Sequence, residues 1–171
     1  YRFFRDTRAD DMVAAFTQRF DETVDSDLRA QFEENGLTLR EAVVLASIVQ
    51  REAMLEEEQP LIASVFFNRL AVGMSLESDP TVQYAVGYNE AQKTWWTNPL
   101  TVDNLAVDSP YNTYRRGGFP PGPISNPGIS ALRAVAYPAQ TPYYYFRATC
   151  DRSGRHFFAK TYEEHLQNAC P

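Results

Sequence analysis

Thr38-Leu39-Arg40-Glu41-Ala42-Val43-Val44-Leu45-Ala46-Ser47-Ile48-Val49-Gln50-Arg51-Glu52 is the stretch from which the rest of the chain is read. At ~100° per residue, Leu45, Ile48, Val49 and Glu52 fall within roughly 100° of one another on a helix wheel, while Gln50 and Arg51 point elsewhere. Thr38 and Glu41 have capping-box spacing, so the helix is expected to start at Leu39. That gives Glu41, which also lies near the Glu52 side of the wheel, a structural task. A carboxylate on a core-facing stripe loses water, and losing water raises its pKa. This is how a protein keeps an acid able to donate a proton near neutral pH. A second reading places Glu52 at the frayed helix end, snorkelling past its neighbours to solvent, and the pattern alone favours it.

Outward from this helix, Glu56-Glu57-Glu58-Gln59 precedes Pro60, with negative charges that suit the start of a helix. That helix carries Leu61, Ile62, Val65, Phe66 and Leu70 and ends at Gly73. A short acidic connection makes residues 38–73 an antiparallel helical hairpin with Glu52 near its turn. Upstream, a helix is expected from Asp10 to about Thr23, with Met12, Val13, Phe16 and Phe20 as its apolar side. Asp25 to Phe32 reads as a shorter piece closed by Asn35-Gly36. Beyond Met74, prolines punctuate short elements, with one or two helical turns over Thr81 to Val86. Gly117 to Gly128 is a turn-rich loop long enough to form a groove wall. Ser130 to Tyr137 is a short helix stopped by Pro138. Tyr143 to Ala148 and His156 to Ala159 flank the turn Asp151-Arg152-Ser153-Gly154, the clearest β-hairpin in the chain. Thr161 caps a last helix through Asn168, with Glu164 three residues on. The fold class is α+β, mainly helical with one small antiparallel sheet.

At 171 residues the chain is one domain that can bury a full core. It divides into 1–8 as the tail of a preceding segment, the 38–73 hairpin, 74–142 as groove loops and short helices, and 143–171 as hairpin and final helix. A formal charge of -6 with no basic stripe argues against nucleic acid as the main partner. Ten Tyr, eleven Phe and two Trp supply flat amphipathic surfaces suited to sugar rings or peptides, as well as to a core. No run approaches the ~20 apolar residues of a membrane helix. The start at Tyr1, without methionine or a signal-like segment, reads as a processed or excised fragment. Cys150 and Cys170 are either two reduced thiols or, outside the cytoplasm, a bridge tying down the last helix. With only His156 and His165 available they lack the partners of a zinc site, and no metal or cofactor is expected.

The residues along nearly the whole chain resemble the endolytic murein transglycosylases, the MltG or YceG-like family of bacterial cell-wall enzymes. The pieces are Ala46-Ser47-Ile48-Val49-Gln50-Arg51-Glu52, Val65-Phe66-Phe67-Asn68-Arg69-Leu70, Gly73-Met74-Ser75-Leu76 and Ser78-Asp79-Pro80-Thr81-Val82-Gln83-Tyr84. Further on are Ser109-Pro110-Tyr111-Asn112-Thr113-Tyr114, Gly118-Phe119-Pro120-Pro121-Gly122-Pro123-Ile124, Asn126-Pro127-Gly128 and Ala136-Tyr137-Pro138-Ala139. The Tyr143 to Phe146 strand, Phe157-Phe158-Ala159 and His165 complete them. Each is weak alone; their order and spacing carry the match. The family glutamate falls on Glu52, and Gln50 stands where many members have a first acid. Phe4-Arg5-Asp6-Thr7-Arg8 is similar to the segment preceding the family domain, with Arg5 and Arg8 as departures.

The resemblance implies a lysozyme-like helical core and cleavage of the β-1,4 bond between N-acetylmuramic acid and N-acetylglucosamine. The muramyl C6 hydroxyl closes on C1 to leave a 1,6-anhydro end. One carboxyl used twice suffices, because no water has to be held by a second. Glu52 is expected first to protonate O4 and then to accept the C6 proton. Candidate substrate contacts are Asn68, Asp79, Tyr84, Tyr111, Asn112, Tyr114 and Asn126. Each has a structural alternative: a helix cap for Asp79, a helix–helix bond for Asn68, half-buried core for the tyrosines. Gln83 and His165 read as structural, and Trp95 and Trp96 either cap the core or stack on a distal sugar. The implied partners are peptidoglycan glycan strands and the glycan-polymerising penicillin-binding proteins. The implied place is the outer side of the bacterial cell membrane, anchored through a helix that, like a LysM-like domain, is not in this chain. That location brings the Cys150–Cys170 bridge level with free thiols. Against this stand a lysozyme-like hydrolase, a glycan-binding or scaffold module without turnover, and a protein-interaction domain with its aromatics on a flat face.

Overall fold

The computed structural model describes residues 1–170. Helices α1 (Ala9–Thr23), α2 (Ser26–Glu34), α3 (Leu39–Glu52), α4 (Gln59–Ala71), α5 (Asp79–Val86), α6 (Val102–Leu105) and α7 (Ile129–Ala136) precede strands β1 (Tyr145–Ala148) and β2 (His156–Ala159), and α8 (Tyr162–Gln167) follows. The architecture is mixed α+β, mostly helical, with one two-stranded antiparallel sheet.

Helix α3 is the centre. The Thr38 hydroxyl accepts from the Glu41 amide and the Glu41 carboxylate accepts from the Thr38 amide, so the capping box is formed. Leu45, Ile48 and Val49 are fully excluded from water; burying each such side chain is worth roughly 1.5–3 kcal/mol. Helices α2, α4, α5 and α7 pack around them. The connection to α4 is a 3-10 turn at Glu56–Glu58, and Gly36 and Gly73, at φ +76° and +73°, end the flanking helices in a conformation that disfavours a side chain.

Helix α1 differs from expectation, since it buries none of its residues. Val13 and Phe16 are 59% and 47% exposed, and Phe16 meets the rings of Tyr1 and Phe3 rather than the core. Only Phe20 reaches the main cluster. The four-residue α6 was not anticipated, because its capping box pairs Thr101 with Asn104 instead of the usual Glu or Gln.

The β-hairpin pairs Tyr145 with Ala159 through Ala148 with His156. It starts two residues later than the aromatic run suggests. The Tyr143 and Tyr144 carbonyls are occupied by the Asn68 amide (2.8 Å) and Arg69 Nε (2.7 Å) of α4. Those bonds fasten the sheet to the helical hairpin. Cys150 and Cys170 are joined, closing the segment that holds β2 and α8. Among the described residues no helix is long and apolar enough to cross a membrane.

Candidate active site

Glu52, the last residue of α3, keeps part of its surface open to a trough of about 760 Å³, a size common among ligand sites. Glu52, Arg69, Glu77, Asp79 and Tyr114 line one part; the hairpin and α8 supply Tyr145, Arg147, His156, Tyr162 and His165. The stripe argument therefore meets both of its readings. The side chain lies beside the core, and it opens into a concavity instead of bulk water.

Desolvation pushes the Glu52 carboxyl up to about 7. A hydrogen bond from Ser78 opposes that rise, the negative charge of Asp79 adds to it, and the positive charge of Arg69 opposes it. The Ser78 hydroxyl donates to Glu52 Oε1 at 2.5 Å. Oε2 makes no hydrogen bond among the described residues. A neutral carboxyl oriented by one oxygen has the other available to deliver a proton.

Ser78 precedes α5, where a serine ordinarily turns its hydroxyl onto the helix's own amides. Here it makes no cap bond. The segment carrying it is held from two sides. Arg69, 7% exposed, donates through Nη1 to the Ser75 and Leu76 carbonyls (3.1 and 2.8 Å) and to Glu77 Oε2 (3.1 Å). Thr113 Oγ1 accepts from the Ser78 amide (3.0 Å), and the Thr113 carbonyl accepts from the Glu77 amide (3.2 Å). Glu77 sits at φ 49°, a left-handed conformation a glutamate adopts only when its surroundings hold it there. This strained turn aims Ser78 at the acid. Nothing in the sequence set Ser78 apart from an ordinary cap; only the missing cap bond does.

Of the candidates, Asp79 and Tyr114 join Glu52 at the trough. The Tyr114 hydroxyl donates to Asp79 Oδ1 at 2.6 Å, and burial together with that carboxylate raises the phenol's pKa, so it stays a donor. The others lie elsewhere. Asn68 gives its amide hydrogens to the Thr141 and Tyr143 carbonyls (both 2.8 Å), which makes it a clamp between α4 and the hairpin approach. Asn112 is fully buried, with its amide on the Leu105 and Val107 carbonyls (both 2.9 Å). Tyr84 and Tyr111 pack on each other at 4.7 Å, outside the trough lining. Asn126 borders a separate groove with Tyr1, Phe16 and Ile129.

The 117–128 loop contributes no residue to the trough either, contrary to its expected role as a groove wall. It is pinned to α3 where the Ile124 amide donates to Ser47 Oγ (3.0 Å) and the Gly128 amide to Gln50 Oε1 (2.9 Å). On the helix wheel Gln50 lies about 160° from Glu52, so what holds the loop points it away from the acid. Trp96 lies under the Arg51 guanidinium, 3.6 Å from the ring centroid, and Trp95 packs on Tyr88; neither lines the trough.

The acidic run before α4 has a second use that the helix-dipole reading missed. Glu58 is buried, and its carboxylate takes the His156 amide (3.1 Å) and Nδ1 (2.8 Å) from 98 residues away. Glu57 pairs with Arg155. The turn that leads into α4 is thereby tied to the hairpin wall. His165 also lines the trough, packed between Tyr145 and Tyr162, with its Nδ1 buried and without a hydrogen-bond partner.

Comparison with known proteins places this geometry. The endolytic murein transglycosylase of Bacillus subtilis (strain 168) is 35% identical over 160 residues, 94% of this chain and 42% of that protein. Its namesake in Streptococcus pneumoniae (serotype 2, strain D39) is 31% identical over 159 residues, 93% of this chain and 27% of that protein. A crystal structure of a yceG-like protein from Listeria monocytogenes superposes with a TM-score of 0.83 at 36% identity, covering 98% of this chain and 51% of the other. The chain thus spans about half or less of the length of these relatives. A model of the YceG-like family matches residues 1–170, through the Glu52 helix, the strained turn and the hairpin wall alike. On that match the chain belongs to the YceG-like family.

Proposed function

We propose that the chain is the catalytic part of a lytic transglycosylase that cuts the β-1,4 bond between N-acetylmuramic acid and N-acetylglucosamine within peptidoglycan strands. The observation that carries the reading is a carboxyl raised to about 7 at the wall of an open trough, in a family whose curated relatives are named for endolytic cleavage of murein. Near neutral pH Glu52 is protonated in a large fraction of molecules and donates its proton to O4 as the glycosidic bond breaks. The resulting carboxylate, stabilised by the Ser78 hydroxyl, takes the proton of the muramyl C6 hydroxyl as that oxygen bonds to C1. The same group is thereby reset. Acid and base assistance of this kind is typically worth ~10²–10⁴ in rate. The Tyr114–Asp79 pair supplies polar contacts at the sugar.

The disulfide and the family point to the outer side of the bacterial cell membrane, where thiols oxidise. Such cuts would end the growth of nascent strands laid down by glycan-polymerising penicillin-binding proteins. A second reading draws on Asp79, a second carboxylate close enough to influence Glu52: a paired acid can activate water, as in hydrolases. Mass analysis of peptidoglycan digested by the protein tests both. Anhydro ends that disappear in Glu52→Gln are expected; reducing ends formed by water addition indicate the hydrolase, and no fragments at all a binding module.

A further inference from the structure

The hairpin part of the trough carries a charge that the chain itself does not answer. Arg29, Arg69, Arg116 and Arg155 each reach a carboxylate. Arg147 lines the trough from β1, yet makes no side-chain hydrogen bond or ion pair among the described residues. The carboxylates that share the trough are engaged elsewhere, Glu52 by Ser78, Glu77 by Arg69 and Asp79 by Tyr114. His165 on α8 has its proton affinity lowered first by burial, then by Arg147 and by Arg69 of α4, with Glu77 opposing. What sets Arg147 apart is its place: a guanidinium without an internal partner that lines the trough beside the acid is free to receive an external anion. Flat surfaces adjoin it, with the His165 ring 5.4 Å from Tyr145 and 6.1 Å from Tyr162. Strand β1 has β2 as its single neighbour, so its other edge is unpaired, and Tyr145, Phe146, Arg147 and Ala148 all line the trough. Such an edge can also receive an extended chain.

We propose that this side of the trough is an anion subsite in which Arg147 binds a carboxylate carried on the lactyl arm of a muramyl residue, flanked by Tyr145 and Tyr162. The proposal rests on the glycan-cleaving reading and gives it a register. The two alternating sugars share their ring, acetamido group and C6 hydroxyl; the lactyl arm is what distinguishes them. A site that must place a muramyl C6 hydroxyl at Glu52 can select the correct alternate bond by reading that arm. The carboxylate has two sources, the lactyl group itself on strands stripped of peptide, or the peptide that extends it. A neutral N-acetylglucosamine oligomer offers Arg147 nothing.

The test compares Glu52→Gln protein with and without Arg147→Gln, so that cleavage does not consume the probe. Dissociation constants are measured for peptide-bearing glycan strands, amidase-stripped strands and N-acetylglucosamine oligomers. The second substitution is expected to weaken one or both carboxylate-bearing probes on the order of tenfold. That loss should shrink as salt rises, Arg147→Lys should recover part of it, and the neutral oligomer should bind unchanged. Loss on stripped strands identifies the lactyl carboxylate, and loss confined to peptide-bearing strands identifies the peptide's. Unchanged affinity for both, an equal loss on the neutral oligomer, or no measurable binding of either charged strand overturns the proposal. Because the Arg147 side chain makes no internal hydrogen bond or ion pair, an unaltered melting temperature should accompany the change. If the protein with Glu52 intact releases no fragments, the cleavage reading fails on its own while the binding comparison still stands.

Discussion

Replacing Glu52 by Gln is expected to stabilise the fold in a strongly pH-dependent way while abolishing cleavage. The carboxyl titrates near 7 in the folded chain against an ordinary value of 4.5. Below the lower value both states are protonated, and the group contributes its full share of stability. As pH rises toward 7 the unfolded chain ionises freely while the folded one resists, and that share is lost. The gap amounts to about 3 kcal/mol, an upper figure because part of Glu52 still touches water. Glutamine cannot ionise, and its side-chain oxygen can accept the Ser78 hydroxyl as Glu52 Oε1 does. The variant should therefore match the parent at about pH 4 and exceed it by up to about 3 kcal/mol at about pH 8. For a chain of this size, that is about 6–12 °C in melting temperature. Thermal or urea unfolding across the pH range, run beside product analysis, reads both effects. A stability difference that does not vary with pH, or glutamine the less stable partner at high pH, would falsify the claim that Glu52 is held desolvated.

Two neighbours should move the Glu52 titration in opposite directions. Ser78→Ala removes a bond to the charged form, so the carboxyl rises further and the alkaline limb of kcat/KM moves up by about one pH unit; Asp79→Asn removes a repelling charge, so that limb moves down. A limb that stays in place in both variants counts against Glu52 as the acid. Cys150→Ser should lower stability by up to about 3 kcal/mol, since the bridge closes a loop of about twenty residues, and amide exchange should show α8 loosening before the α3–α4 pair. Glu58→Ala strips the partner from His156 Nδ1 and the His156 amide and should cost about 2–4 kcal/mol, with β2 losing exchange protection first; protection unchanged there would mean that the hairpin is held by other contacts.

The local elements were open to reading because each depends on neighbours in sequence. The Thr38–Glu41 box, the Gly36 and Gly73 stops, and the turn chemistry between the strands act over a few residues, and all of them formed. The stripe containing Leu45, Ile48 and Val49 marked the centre of the core, and it placed Glu52 beside it. Periodicity misjudged α1 because an apolar face does not say whether anything will cover it.

The chain order by itself determined the longer helices, the hairpin and which carboxylate shares a helix face with the core. Tertiary contact decided what that carboxylate experiences. Ser78 lies 26 positions away, Glu58 and His156 are 98 apart, and Asn112 proved to be a clamp inside its loop, not a trough residue. A pKa, a strained turn and an unanswered guanidinium are properties of distances across the fold, set by packing between segments that no local spacing rule connects.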